Sequence, residues 1–163
     1  MTPAEKLAAV ASFEGCGSAF DDLLALPPAV LTYRPFPDAW TIHEHVVHCL
    51  DVDAASFHRY RKAIAEPDAP VLSFDGSWTA ALDYHRQDLA ASLALIKSLR
   101  GFMAAHLRGL ADRDWRAFAY VHSKYGRVDL ESAVQGYTDH VRFHRELIDR
   151  NISLWNQAGN KSP

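Results

Sequence analysis

Residues 130–155 read LESAVQGYTDHVRFHRELIDRNISLW and predict a long helix with one apolar face. Asp129 stands just before this stretch as a candidate N-cap, so the helix is predicted to begin after Val128. The side chains on one stripe at helical spacing are Leu130, Ala133, Val134, Tyr137, Val141, His144, Ile148, Ile152 and Trp155. His144 therefore occupies a position where a core apolar residue is expected.

Three more helices are predicted upstream, each bounded by caps or prolines. The first has Thr2 and Glu5 as a capping box and runs to Pro27, and the second has Thr41 and Glu44 and ends before Pro67. The third covers about 79–106. Predicted inward side chains include Leu7, Val10, Phe13, Phe20, Leu23 and Leu24 in the first helix, Ile42, Val46, Cys49, Leu50, Asp53, Phe57, Tyr60 and Ile64 in the second, and Leu82, Leu89, Leu93, Ile96, Leu99 and Met103 in the third.

The segments between the helices are long, and we interpret them as loops. They cover residues 29–39, 68–78 and 110–128, the last with a turn at Lys124–Arg127 and with 115–121 treated as loop although a short strand is possible there. Gly15 and Gly17 indicate either close helix packing or a kink. The sequence thus predicts an all-α fold, one four-helix-bundle domain over 1–163 with a polar tail at 156–163. Connectors of this length allow a topology other than up-down-up-down.

Composition excludes several classes of protein. A net charge of −3 gives no reason to expect binding to nucleic acid. No segment reaches the roughly 20 apolar residues of a membrane span, and no signal peptide is recognisable, so we expect a cytoplasmic protein without a membrane partner. Two cysteines, Cys16 and Cys49, cannot build a disulfide framework or a thiolate zinc cluster.

The pair His140-x3-His144 is the strongest chemical signal. Four residues are about one helical turn, so both imidazoles project from the same face and can share one divalent cation. His48, on another predicted helix, is a candidate third ligand that would leave one coordination position open. Spacing alone does not give the distance from His48 to the pair. The alternative is a core histidine hydrogen-bonded to a carbonyl or carboxylate.

Two familiar metal sites are excluded by the residues around the pair. Val141 stands where the zinc-protease pattern H-E-x-x-H has the Glu that acts as general base. The Glu-x-x-His pairs that ferritin-like di-iron bundles use are missing from the predicted helices.

The stretch Trp40–Asp51, WTIHEHVVHCLD, resembles the tryptophan-to-histidine signature of the DinB-like superfamily. Tyr33-Arg34-Pro35 before it, and Gly126-Arg127-Val128 followed by the histidine pair, occur in the order typical of that family. The resemblance extends from about Leu7 to Trp155. It implies a four-helix bundle, with a helix order unlike that of a simple hairpin chain, and a three-histidine site for zinc, nickel or a similar divalent ion. The ligands would be His48, His140 and His144.

This superfamily includes YfiT-type proteins and S-transferases that use bacillithiol or mycothiol. The resemblance implies a metal-dependent enzyme that transfers a low-molecular-weight thiol to an electrophile or hydrolyses a small substrate. A homodimer is expected on the same ground. Two alternatives stay open: a non-catalytic metal-binding or stress-response protein, and a helical interaction domain whose histidines bind no metal.

Several other residues are weaker candidates for the site. Glu44 either caps its helix or orients His48, and Tyr137 either packs or hydrogen-bonds near the metal. His85 and His122 are candidates for a fourth ligand. Arg34 either anchors its loop or contacts an anionic thiol cofactor. Side chains expected simply to pack are Cys49, Trp40, Trp78, Trp115 and Trp155.

Overall fold

The computed structural model describes residues 1–73 and 78–159, and helices dominate it. In chain order the elements are α1 (Pro3–Gly15), 3₁₀ turns at Cys16–Ser18 and Asp21–Ala25, α2 (Pro28–Leu31), α3 (Ile42–Ala65), β1 (Ala69–Val71), α4 (Trp78–Ala81), a 3₁₀ turn at Tyr84–Arg86, α5 (Leu89–Arg108), β2 (Ala119–His122), β3 (Gly126–Asp129) and α6 (Leu130–Gln157). The long helices α1, α3, α5 and α6 form the predicted bundle.

The predicted helix starts are confirmed by their capping bonds. Thr2 with Glu5 and Thr41 with Glu44 each form a complete capping box, in which side chain and backbone bond in both directions. The Asp129 carboxylate accepts the Ser132 N–H at the start of α6. These bonds satisfy backbone N–H groups that the first turn of a helix leaves without partners.

The order of the helices around the bundle is not that of a chain of hairpins. Helix α1 packs against α5 and α6, and α3 packs against the same two helices. The successive helices α1 and α3 therefore lie across a diagonal, as do α5 and α6. The chain crosses the bundle in both connections, and the long connectors make this topology possible.

The connectors contain a small sheet that the sequence interpretation treated as loop. Its order is β1-β2-β3, with Ala69 beside Tyr120 in a parallel pair and His122 opposite Gly126 in an antiparallel hairpin. Gly126 has a φ of 72°, a left-handed conformation that glycine adopts without strain, so the predicted turn is present. Strand β3 leads directly into α6 and so sets where the helix begins.

The first and third predicted helices are shorter than expected. Helix α1 ends at Gly15, and a Cβ on Gly17 would meet the Cα of Lys97 at 3.4 Å, which supports close packing on α5. Helix α5 begins at Leu89, after an N-cap at Asp88, and not near residue 79. Leu24 and Leu82 fall outside these helices and are 54% and 48% exposed; Leu7, inside α1, was also predicted to face inward and is 44% exposed.

The C-terminal helix continues to Gln157, so the first two residues of the predicted polar tail are helical, and 160–163 lie outside the described residues. None of the described helices combines the length and the apolar character that crossing a bilayer requires.

A buried ion pair connects the four long helices. Arg100 on α5 donates from Nε and Nη2 to the two carboxylate oxygens of Asp53 on α3, at 2.6 and 2.7 Å. It also donates to the carbonyl oxygens of Phe13 on α1 and Tyr137 on α6, both at 3.0 Å. Arg100 is 1% exposed and Asp53 is 2% exposed. Burial raises the pKa of Asp53, and the guanidinium opposes that shift.

This ion pair separates two apolar clusters of the core. One cluster contains Phe13, Tyr60, Met103 and Trp115 and lies beside the sheet. The other is built on residues such as Phe20, Ile42, Val46, Ile96 and Ile148. Along α3, α5 and α6, one cluster lies toward one end of each helix and the other cluster toward the opposite end, with the ion pair between them. A polar layer therefore runs through the middle of the bundle.

Removing one member of the pair should destabilise the protein strongly. Arg100→Met would leave the Asp53 carboxylate buried without its cation, and we expect a loss of about 3–5 kcal/mol in the free energy of unfolding. Urea denaturation followed by circular dichroism measures it. The double variant Arg100→Met/Asp53→Leu should recover much of the loss, because no uncompensated charge remains.

Lys97→Ala is the matched control, since Lys97 lies on the same helix and pairs with Asp21 in an exposed ion pair. We expect it to cost at most about 1 kcal/mol. If Arg100→Met cost no more than this control, the buried pair would not hold the helices together.

Candidate metal centre

Three predicted histidines meet inside the bundle. His48 on α3 and His140 and His144 on α6 each present one ring nitrogen, and these nitrogens all lie within 4.8 Å of one another. The ring centroids are 5.2 Å apart for His48 and His140, 4.9 Å for His48 and His144, and 4.5 Å for His140 and His144. The structure thus provides the spatial relation between the two helices that spacing left open.

The packing of α3 against α6 explains this meeting. His144 is 5% exposed and lies on the inward stripe of α6, and His140 precedes it by one turn on the same face. His48 faces them from α3. The buried Arg100–Asp53 pair bonds α6 at Tyr137, one turn before His140, so the histidines continue the polar layer of the core.

His45 is a member of the cluster that the sequence interpretation missed. Its Nδ1 lies 2.9 Å from Nδ1 of His144, and its side chain is 3% exposed. One of the two nitrogens donates a proton to the other, so this bond holds the His144 ring in place. A spacing of three residues places His45 and His48 on the same face of α3, and this spacing could have predicted from the sequence that His45 belongs to the cluster.

The indole of Trp40 forms one wall of the cluster. Its centroid is 4.8 Å from the ring of His48, 5.5 Å from that of His45 and 6.1 Å from that of His144, and it stacks on the last at 18°. Asn151 holds this residue by donating to its carbonyl oxygen at 2.8 Å. Trp40 was predicted to pack, and in the structure its indole packs against the imidazoles of the cluster.

Nitrogen atoms in the cluster lack partners within residues 1–73 and 78–159. His140 Nδ1 and His45 Nε2 are buried and accept or donate no hydrogen bond there. A buried polar atom without a partner is costly, and a divalent cation can satisfy an imidazole such as that of His140, whereas His45 lies outside the group of convergent nitrogens. Three convergent imidazoles with an unsatisfied nitrogen therefore fit a metal ion.

Burial keeps the rings neutral. Burial lowers the pKa of His45 and His140 to about 4 and that of His144 to about 2. Arg150 lowers the pKa of His45 further and Arg100 that of His140, and the neighbouring histidines disfavour a charge on one another. The pKa of His48 is also lowered by burial, against an opposing effect of Asp51. Neutral imidazole is the form that binds a metal, so the fold prepares these side chains for coordination.

Glu44, in the first turn of α3, and Arg34, in the loop before it, bond to each other. The Glu44 carboxylate accepts the Thr41 N–H at 2.7 Å and pairs with Arg34 at 2.8 Å and with His85 Nε2 at 2.9 Å. Arg34 also donates to the carbonyl of Ala39. Of the alternatives left open, the helix cap and the loop anchor are therefore the ones that these bonds support. The contact with Glu44 also accounts for His85, a candidate fourth ligand.

Two further candidates lie beside the cluster without joining it. His122 Nδ1 accepts the Lys124 N–H at 3.1 Å, and His122 is not part of the group of convergent nitrogens. The Tyr137 hydroxyl accepts from Arg59 Nη1 at 3.0 Å.

Cys49 is fully buried, and burial raises the pKa of its thiol, as expected for a small core side chain.

A cavity of about 550 Å³ opens next to the cluster. His48 and His140 line one part of it, and residues of α3, α6 and the β2–β3 hairpin line the rest. This volume lies within the range of small-molecule sites. A cation held by the three imidazoles would therefore face a space large enough for a substrate.

Comparison with known proteins supports the resemblance. The family described as the DinB superfamily matches residues 12–148. A relative from Bacillus subtilis (strain 168), named "Putative metal-dependent hydrolase YfiT", is 29% identical over 112 residues, which are 68% of this chain and 63% of that protein. The chain thus spans less than two thirds of that relative's length.

A solved structure of YfiT from Bacillus subtilis, described as a probable metal-dependent hydrolase with an unusual four-helix bundle topology, superposes with a TM-score of 0.85. It is 22% identical and is matched over 98% of this chain and 90% of that chain. At this identity the likeness concerns the fold. The predicted four-helix bundle of this type is confirmed.

The neutral histidines should make the metal-free protein sensitive to acid. Below pH 6.5 the unfolded chain takes up protons that the buried rings do not take up until about pH 4 or lower. Unfolding therefore becomes easier as the pH falls, by up to about 1.4 kcal/mol per pH unit for each ring. Urea denaturation of chelated protein at pH 7.5, 6.0 and 5.0 measures this dependence.

His144→Leu should weaken the pH dependence, because it removes the most strongly shifted ring. His58→Ala is the control, since that side chain is exposed and its loss should leave the dependence unchanged. An identical pH dependence in His144→Leu and in the original protein would contradict this interpretation.

Proposed function

The chain belongs to the DinB superfamily, and on this premise we propose that it is a metal-dependent enzyme acting on a small molecule. His48, His140 and His144 hold one divalent ion, zinc or nickel. The observation that carries the proposal is the convergence of three ring nitrogens within 4.8 Å beside a cavity of about 550 Å³. The name of the Bacillus subtilis relative supports the same class of protein.

The donor set favours these metals and an enzymatic site. Neutral imidazole is a good ligand for zinc, nickel, copper and iron, and three protein ligands with one open position are typical of catalytic zinc. Within the described residues, the convergent group contains no fourth ligand. When bound, such a cation supplies a Lewis acid and lowers the pKa of a coordinated water or thiol.

His45 and Trp40 hold the site in its binding form. If Nδ1 of His144 donates to Nδ1 of His45, the lone pair of His144 Nε2 is available to the cation, and this tautomer is the one that binding requires. Trp40 covers the rings and excludes water from one side. Orientation and a dry environment both strengthen coordination.

Two reaction classes fit the site, and each has an observation in its favour. Hydrolysis is the activity in the name of the relative. Transfer of a low-molecular-weight thiol to an electrophile fits equally well, since none of the described residues that line the cavity is a carboxylate and a bound cation would lower the pKa of a thiol as it does that of water. A thiol that binds a divalent cation loses its proton without a carboxylate as general base.

The competing functions are weighed by the same features. A non-catalytic metal-binding or stress-response protein would be favoured by a site closed with a protein ligand, and the candidate His85 is bonded to Glu44 instead. An interaction domain without metal leaves the unpartnered nitrogen of His140 and the convergence of three imidazoles unexplained. A homodimer and a cytoplasmic location stay predictions from the sequence.

Replacing any one of the three proposed ligands should abolish tight metal binding. We expect about one zinc or nickel ion per chain in the original protein, and a small fraction of that in His48→Ala, His140→Ala and His144→Ala. The measurement is elemental analysis of protein purified without chelator and dialysed against each metal.

His85→Ala is the matched control for metal content, because His85 lies near α3 but bonds to Glu44. It should retain the metal of the original protein. Equal metal content in the original protein and in His144→Ala would remove the three-histidine site from consideration.

Activity should require the metal. We expect metal-loaded protein either to hydrolyse p-nitrophenyl acetate or to couple a low-molecular-weight thiol to 1-chloro-2,4-dinitrobenzene, and His144→Ala to fall to the rate of chelated protein. The His85→Ala variant should keep its rate. Rates equal to those of the chelated protein in both assays, across a panel of thiols and esters, would count against an enzyme.

A further inference from the structure

The cavity beside the histidines contains a buried cation, Arg59, that no carboxylate among residues 1–73 and 78–159 neutralises. Arg59 on α3 is 8% exposed, and it donates to the Tyr137 hydroxyl at 3.0 Å and to the Leu72 carbonyl at 2.9 Å. Both partners are neutral. Among the residues that the structure describes, no Asp or Glu forms an ion pair with Arg59.

The other buried arginine, Arg100, shows what Arg59 lacks among the described residues. Arg100 is matched by the carboxylate of Asp53 through two hydrogen bonds. Burying a charge costs several kcal/mol when no counter-charge repays it, so buried cations are normally paired. Arg59 lines the cavity. An anion that enters the cavity would supply the counter-charge that the described residues do not provide.

Other groups in the same wall also favour an anion. Lys124, at the turn of the β2–β3 hairpin, lines the cavity together with His122. Because Nδ1 of His122 accepts the Lys124 N–H, the proton of the neutral ring is on Nε2, which can donate. Burial lowers the pKa of His122, and Arg59 and Lys124 lower it further, as expected in a positive environment.

The described residues that line the cavity carry a net positive charge, although the whole chain does not. Two permanent cations line the cavity, none of the described lining residues is acidic, and the whole chain has a net charge of −3. Arg59 and Lys124 therefore lie together at one concave site of a chain that has more acidic than basic residues. Such a site attracts and orients a small anion.

The positions of the charged and metal-binding groups define the ligand's shape. Arg59 follows His48 by about three helical turns, or about 16 Å between Cα atoms. Its guanidinium extends to the hydroxyl of Tyr137, which lies one turn before His140 on α6. Small and apolar side chains line the space between Arg59 and His48, among them Val52 and Ala133. A Cβ on Gly136, which also lines the cavity, would meet nothing within 4 Å, so the wall of α6 is open there.

We propose that this cavity binds an elongated small molecule with an anionic end, a carboxylate or a phosphate. Arg59 holds the anion with help from Lys124 and His122. The apolar middle lies along Val52 and Ala133, and the opposite end reaches His48 and His140. The role of that opposite end rests on the proposed metal-dependent function, whereas the recognition of the anion does not.

Binding of matched six-carbon probes tests the anion site directly. We would titrate chelated protein with hexanoate, hexyl phosphate and 1-hexanol in a calorimeter. Since a charge-assisted hydrogen bond is worth more than a neutral one, at least one anionic probe should bind about tenfold tighter than the alcohol. The tighter of the two anions identifies the carboxylate or the phosphate as the better match.

Variants show whether Arg59 is responsible. Arg59→Gln should bring the anionic probes to within about twofold of the alcohol, because the side chain keeps hydrogen-bonding ability but loses its charge. Arg61→Gln is the matched control, an exposed arginine two residues later on α3, and should keep the preference. Lys124→Gln alters an exposed side chain and should reduce the preference even if Arg59→Gln fails to fold.

A second pair of probes separates this inference from the proposed function. 6-Mercaptohexanoate should bind metal-loaded protein more tightly than hexanoate does, and chelation should remove that gain while the anion preference persists. A missing gain would count against the metal site alone. Equal binding of anionic and neutral probes to the original protein, or an unchanged preference in Arg59→Gln, would overturn the anion site.

Discussion

The hydrogen bonds of Arg100 hold the four long helices in one arrangement. This guanidinium on α5 reaches Asp53 on α3, Phe13 on α1 and Tyr137 on α6, with almost no exposure to water. A buried charge tolerates little displacement of its partners, because a lost bond would leave it uncompensated in a medium of low polarity. The helices are therefore constrained in register as well as packed, and the core is divided into two apolar clusters by a polar layer.

The histidine cluster depends on this constraint. His48 lies shortly before Asp53 on α3, and His140 follows Tyr137 by one turn on α6, so the same contacts that fix the helices bring the imidazoles together. Burial then keeps the rings neutral. Without a metal, the unpartnered nitrogen of His140 would lower the stability of the core. A cation shared by three rings would offset this loss of stability, which connects the stability of the fold with the chemistry that we propose.

Local signals in the sequence predicted much of the fold. Capping residues and apolar spacing predicted the starts of α1, α3 and α6. Resemblance to a family added the pairing of His48 with the α6 histidines. The strands and the start of α5 were missed, because short strands in connectors depend on partners distant in sequence. Arg100, His45 and Arg59 have polar side chains, and their importance comes from burial and neighbours that spacing does not reveal.

Anomalous diffraction at the zinc absorption edge, from crystals grown with zinc, tests the central claim most directly. The proposal requires one strong peak about 2.0–2.1 Å from a ring nitrogen of each of His48, His140 and His144, with no fourth protein ligand and an open side toward the cavity. A map without a peak between these rings, or with its peak elsewhere on the protein, would contradict it.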